Sequence, residues 1–278
     1  MNIVLIGAGN VATHLGQTLV KAGHQILQVY SRTETSAAEL AKKVNASHTT
    51  QLHEVNSTAD LYLVMLKDSV LGEILPELVT CNPDALFVHT AGSVPMNIWQ
   101  GLTSRYGVLY PMQTFSKARA VDFRQVHFFI EANNTADLEL LKALANGISS
   151  YVFEASSEQR KYLHLSAVFA CNFTNHMYAI CNELLTAHGL PFSSMFPLID
   201  ETARKVHLLN PKEAQTGPAQ RNDMNVMEKQ ETLLKNDASV NDPAIAEIYR
   251  LISQHIVSYQ EELERSKEIG DIGDIGVK

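Results

Sequence analysis

Ile3-Val4-Leu5-Ile6-Gly7-Ala8-Gly9-Asn10-Val11-Ala12 decides the fold. A fully apolar strand runs straight into a glycine turn that opens a helix, which is the G-x-G-x-x-G/A pattern of dinucleotide-binding βαβ units. Gly7 permits the tight turn. Gly9 lets the backbone approach a diphosphate without an intervening Cβ, and Ala12 keeps the third position small. The anion would then sit on the free amides of the helix N-terminus, contacted by Gly7, Ala8, Gly9, Asn10 and Val11. The plain alternative is a glycine turn without a ligand; the strand–turn–helix–strand context favours binding.

The second strand, Ile26 to Tyr30, runs into Ser31-Arg32-Thr33. NAD-preferring sites place a carboxylate at this point to meet the ribose hydroxyls. None is present here, while Arg32 offers a fork of donors suited to a phosphate and Ser31 and Thr33 add hydroxyls. The expected cofactor is therefore NADP(H). Leu66-Lys67, after the strand at 61–66, and His89-Thr90-Ala91, after the strand at 85–89, lie on the same sheet edge and complete the predicted cofactor site. Asp68 or Ser69 can cap the helix that follows Lys67.

Working outward, short apolar runs at 2–7, 25–31, 61–66, 85–89, 107–110, 127–131 and 150–154 read as strands, with a weaker one at 46–49. They alternate with helical patterns at 10–22, 34–44, 69–80 and 135–146, giving an α/β Rossmann NAD(P)-binding domain with a parallel sheet over 1–155. After Glu154 strand alternation stops. Helical patterns at 157–188, 193–209, 223–236 and 242–265 form an all-helical substrate and dimerisation domain over 156–265, and the Ile-Gly-Asp repeats of 266–278 read as a flexible tail.

Composition narrows the function. The 278 residues carry a formal net charge of −8, which offers no basic field for nucleic acid or an anionic membrane. No apolar run is long enough to span a bilayer, and no basic, apolar leader precedes the first strand. Cys81, Cys171 and Cys181 are too few and scattered for a disulfide framework, so a cytoplasmic protein is expected. No metal-ligand spacing occurs among the histidines.

The long helix supplies the candidate chemistry. On a 3.6-residue period His164, Val168, Asn172 and Asn175 lie close to one face, with Lys161 one turn earlier, on an otherwise apolar segment. His164 can act as an acid, Lys161 can polarise a carbonyl or meet a carboxylate, and Asn172 can orient a ligand. A helix–helix contact with mutual hydrogen bonds would explain the same stripe. Gln113 and Thr114 can hold substrate or the nicotinamide carboxamide, and Thr216 and Arg221 can bind an anionic substrate, with Asp223 capping the next helix.

Three loops together carry a family resemblance: His89-Thr90-Ala91-Gly92-Ser93-Val94-Pro95, Tyr110-Pro111-Met112-Gln113-Thr114-Phe115-Ser116, and Thr216-Gly217-Pro218-Ala219-Gln220-Arg221-Asn222-Asp223. The chain resembles the family that joins a Rossmann-like domain to the domain of unknown function 2520, related to pyrroline-carboxylate reductase and to the hydroxyacid and 6-phosphogluconate dehydrogenases. That resemblance implies a 6-phosphogluconate dehydrogenase C-terminal-like helical domain, a homodimer formed through it, and an active site between the domains. The expected function is that of an NADP-dependent oxidoreductase acting on a small polar, anionic carbonyl, imine or alcohol. The competing reading is a catalytically silent NADP(H) sensor or scaffold, and reduction of a deazaflavin is a distant third. The family's second motif commonly begins with His where this chain has Tyr110, and a later helix often carries His where it has Gln230.

Overall fold

In a computed structural model, residues 1–240 and 242–273 are described, without the side chains at 263, 264 and 266–273. The chain divides into two compact units, Met1–Asn172 and Phe173–Lys278.

The first unit is built on one eight-stranded sheet: β1 (Asn2–Ile6), β2 (Gln25–Tyr30), β3 (Ser47–Thr49), β4 (Leu61–Val64), β5 (Leu86–His89), β6 (Tyr106–Met112), β7 (His127–Ala132) and β8 (Tyr151–Glu154). Their order is β3-β2-β1-β4-β5-β6-β7-β8. The strand order reverses beside β1, so a crevice opens at the carboxyl ends of β1 and β4, where open α/β sheets take ligands.

All four residues Ile3 to Ile6 are wholly buried, and they alternate between two cores. Ile3 and Leu5 join Leu15 and Leu19 of helix α1 (Asn10–Lys21), Leu40 of α2 (Glu34–Val44) and Leu141 of α4 (Thr135–Ile148). Val4 and Ile6 join Tyr62, Phe87, Trp99 and the Leu71, Ile74, Leu75 and Leu78 face of α3 (Asp68–Leu78). A strand buried on both faces has no polar side, which is why these segments read as continuous apolar runs.

The sheet is not wholly parallel: β7 runs antiparallel to β6, and β8 is parallel to β7. A parallel return needs a crossover element, normally a helix, whereas the link from β6 to β7 holds only a short 3-10 turn at Phe123–Gln125.

Helix α5 (Ser157–Ala167) falls in the sheet unit, although the sequence reading assigned it to the helical domain. Its start is a capping box between Ser156 and Gln159, and it is anchored by Arg160, 1% exposed, whose guanidinium meets Glu131 of β7 at 2.7 Å. A widened π turn, Val168–Phe173, leads into α6 (Thr174–Ala187). Such a turn inserts about one extra residue, so the 3.6-residue stripe drawn from His164 onward does not continue through it.

The second unit contains α7 (Phe196–Lys205), α8 (Met224–Asn236) and α9 (Pro243–Gly273). The last of these continues past 265 into the segment expected to be a flexible tail, and 274–278 lie outside the described residues. No helix among the described residues is long and apolar enough to cross a membrane.

Candidate functional site

Residue by residue, the carboxyl edge of the sheet is shaped for an anion. Gly7 has φ 118°, and a Cβ there would lie 2.4 Å from the Met65 carbonyl oxygen, so no other residue fits. Its amide donates to the Tyr30 carbonyl at 2.8 Å, bringing the end of β2 against the turn. Leu66, half-buried, closes the other side. Above Gly9, by contrast, a Cβ would meet nothing within 4 Å. Gly9 is also the N-cap of α1, so no side chain caps the helix and its first turn holds no acid. The Asn10, Val11 and Ala12 amides therefore point into this open space without intrahelical acceptors.

The Asn10 side chain ties down a neighbouring loop. Its amide donates to the Phe115 carbonyl at 2.9 Å, and His14 Nε2 lies 2.8 Å from the Ser116 carbonyl with its ring stacked on Phe115. The loop after β6, which carries Gln113 and Thr114, is thereby tied beside the start of α1. Within it Gln113 Oε1 accepts from the Thr114 amide at 2.9 Å.

At the end of β2 the Ser31 amide donates to Thr49, and Thr33 is the N-cap of α2 without a side-chain capping bond. Arg32 is exposed and makes no ion pair or hydrogen bond among the described residues; the neighbouring Glu34 is engaged by His48 at 2.7 Å. An unpaired guanidinium at this edge is free to meet a phosphate. Lys67, exposed, is the N-cap of α3, so neither Asp68 nor Ser69 caps that helix. The Asp68 carboxylate instead accepts from the Ser93 hydroxyl, joining the loops after β4 and β5.

His89 is turned away from the edge. Its side chain is wholly buried, its ring stacks on Trp99, and its Nδ1 accepts from the Ala91 amide at 3.2 Å. Burial, reinforced by the Arg160 charge and only weakly opposed by the Pro95 carbonyl, pushes its pKa down to about 3. This neutral ring shapes the loop from inside and cannot touch a surface ligand. Thr90 and Ala91 remain half-buried at the edge, with the Thr90 amide donating to Val64.

Next to this loop lies a titratable pair that sequence reasoning did not bring together. His164 Nδ1 is 3.2 Å from the Tyr110 hydroxyl, and the rings meet edge-on. Gly92 lies against both: a Cβ there would be 2.7 Å from His164 Nδ1 and 2.8 Å from Tyr110 Cζ. Beneath them Arg160 donates to Glu131, to the Val94 carbonyl at 2.6 Å and to Ser157 at 3.3 Å. Burial holds the Tyr110 phenol above its ordinary pKa despite the nearby Arg160, so it keeps its proton. An Arg inside a helix start and a Glu inside an apolar strand were the available signals for this network.

Lys161 and Asn172 are exposed on the same helical segment, and Lys161 Nζ sits 3.1 Å from Glu158. Thr216 and Arg221 belong to the second unit, both exposed, with Asp223 capping α8 through the Val226 amide. There Thr216 and Gln230 line an apolar cavity of about 340 Å³ with Ile180, Ile245, Ile248 and Ile252, and the Tyr249 hydroxyl donates to Gln230 at 2.6 Å. Among the described residues no group of three His, Cys, Asp or Glu side chains is placed to hold a metal.

Comparison with known proteins gives matches to two family models, the Rossmann-like domain over residues 1–113 and the domain of unknown function 2520 over residues 126–256. None of the curated proteins compared matches the chain. Among solved structures, a Bacteroides fragilis protein described as a candidate NADP oxidoreductase is 57% identical, with TM-score 0.87 over 92% of this chain and 98% of its own. An imine reductase from Myxococcus stipitatus in complex with NADP+ is 15% identical, with TM-score 0.64 over 96% of this chain and 95% of its own. A pyrroline-5-carboxylate reductase from Coxiella burnetii is 18% identical, with TM-score 0.56 over 94% and 98%. The last two likenesses are of fold.

Proposed function

The chain belongs to the family that joins a Rossmann-like domain to the domain of unknown function 2520, and from that premise we propose that it is an NADP-dependent oxidoreductase acting on a small, polar, anionic imine, carbonyl or alcohol. The observation that carries this reading is the uncapped start of α1 above the Gly7 turn, with the unpaired Arg32 at the adjacent end of β2. A diphosphate suits the amides of Asn10, Val11 and Ala12, and a ribose phosphate suits Arg32, Ser31 and Thr33. When bound, the reduced nicotinamide supplies the hydride.

The chain itself must orient the substrate and supply the proton taken up by its heteroatom. His164 is the proton donor in this reading, since its imidazole sits against Gly92 of the loop after β5 and Tyr110 of β6, and among the described residues only Nδ1 is engaged. Gln113 and Thr114, tied next to α1, contact the nicotinamide or the substrate. Lys161 leaves its weak surface pair with Glu158 to meet a substrate carboxylate. Asn172, Thr216 and Arg221 are further substrate contacts, in a cytoplasmic homodimer.

Calorimetry with NADPH and NADH tests the cofactor, and NADPH consumption over cyclic imines, keto acids and aldehydes tests the reaction. Binding of NADPH in clear preference to NADH, with turnover of at least one imine or keto acid, is expected. No heat with any nicotinamide nucleotide overturns the reading; tight NADPH binding without turnover of any substrate makes the protein a sensor.

A further inference from the structure

Tyr110 meets His164 through its hydroxyl, with Arg160 and Cys171 the other titratable groups that act on the phenol. The phenol is 9% exposed, its hydroxyl is 3.2 Å from His164 Nδ1, and no other hydrogen bond is made by that hydroxyl among the described residues. A buried O–H needs an acceptor, and the ring nitrogen is the one in reach. Gly92 packs so closely that any Cβ would strike both rings. The remaining nitrogen, Nε2, makes no hydrogen bond among the described residues.

We infer that Tyr110 is a positioning residue for His164: its hydroxyl engages Nδ1 and leaves Nε2 as the proton-carrying nitrogen offered to the substrate. The inference rests on the proposed role of His164 as proton donor and deepens it by assigning the working atom. When the imidazole is neutral, the phenol donates to Nδ1 and the ring proton is confined to Nε2. When the imidazole is protonated, the same oxygen accepts from Nδ1–H, and Nε2–H stays directed outward. A hydroxyl can serve both states because it is donor and acceptor at once, and a second partner that fixes ring orientation is how histidines are held for proton transfer. Arg160, locked onto Glu131 and Val94 one turn earlier, fixes the helix that carries His164.

The test uses the full-length protein, selectively labelled with 15N-histidine and free of nucleotide, so its outcome is separate from whether NADPH binds. His164→Gln identifies the His164 signals. In the wild type, long-range 15N–1H spectra of the neutral ring are expected to show a single tautomer, with Nδ1 unprotonated and Nε2 carrying the hydrogen. Tyr110→Phe, which keeps the ring and removes only the hydroxyl, is expected to lose that separation, the two nitrogens drifting to the averaged positions of a free imidazole. Gly92→Ala attacks the same contact from the other side and is expected to cause the same loss; circular dichroism checks that each variant is folded. Identical His164 signals in the wild type and both variants, or a wild-type ring protonated on Nδ1 alone, overturn the assignment.

Discussion

Single side chains separate binding from architecture at this site. Among the described residues Arg32 makes no hydrogen bond or ion pair, so Arg32→Ala breaks none of the contacts that hold the fold. A hydrogen bond to a charged group is worth about 1.5–3 kcal/mol, and about 1.4 kcal/mol is tenfold in affinity. Arg32→Ala is therefore expected to weaken NADPH binding by about 10- to 100-fold by calorimetry and to leave NADH binding and thermal stability unchanged. An equal loss of both nucleotides would refute the assignment of the ribose phosphate to this residue. Gly92 behaves oppositely. Its missing Cβ is what lets Tyr110 and His164 meet, and overpacking of this kind costs about 1–3 kcal/mol. Gly92→Ala should lower the unfolding free energy, measured by urea denaturation, by that amount and depress turnover.

At the scale of elements, the strands and helices were legible because their periods were clean. A run of four residues apolar on both faces, then glycine, then a helix beginning at Asn10, leaves few alternatives. Three things were not legible. The reversal of β7 depends on what connects β6 to it, and an irregular link leaves no periodic trace. The π turn at Val168–Phe173 cannot be read from a segment apolar on every side, so Asn172 was placed on a stripe that does not continue. His89 carried the right residue type at the right strand end, but only packing shows its ring turned inward onto Trp99.

Helix α4 also hides a buried charge that its sequence does not announce. Asp137, 1% exposed, accepts from Arg105 and from Asn134, the N-cap of the helix. Burial alone would raise its pKa, but these hydrogen bonds outweigh it and hold the carboxyl below its ordinary value of 3.8. Because the folded-state pKa is depressed, the carboxylate stabilises the protein fully above the unfolded-state value, and that contribution is lost as pH falls through the folded-state one. Asp137→Asn is expected to cost about 1.5–3 kcal/mol near neutral pH, measured by urea unfolding. The gap between wild type and variant should close in acid, and a gap independent of pH would remove the ion pair from the account.

For the molecule as a whole, the two units are unequally finished. The sheet unit has two cores of buried side chains, whereas among the described residues of the second unit only Ala219, Met227, Val240, Ile245 and Ala246 are buried apolar residues. Leu198, Leu208, Leu233 and Leu251 of that unit are 63%, 83%, 68% and 51% exposed. A unit with so much exposed apolar surface and so little core suits a partner surface, and a second copy of the same chain is the simplest one to test, since a two-fold contact lets each patch cover its counterpart. Sedimentation equilibrium at micromolar concentration is expected to give twice the 30.8 kDa chain mass. A leucine side chain transferred from water is worth about 1.5–3 kcal/mol, and each substitution occurs twice in a two-fold dimer, so Leu233→Glu and Leu251→Glu should each raise the dimer dissociation constant by about 100- to 10,000-fold. Both substitutions fall on exposed helix positions, so the folded monomer should survive them with its NADPH affinity intact. A wild-type protein sedimenting only as monomer would mean that this surface serves another partner.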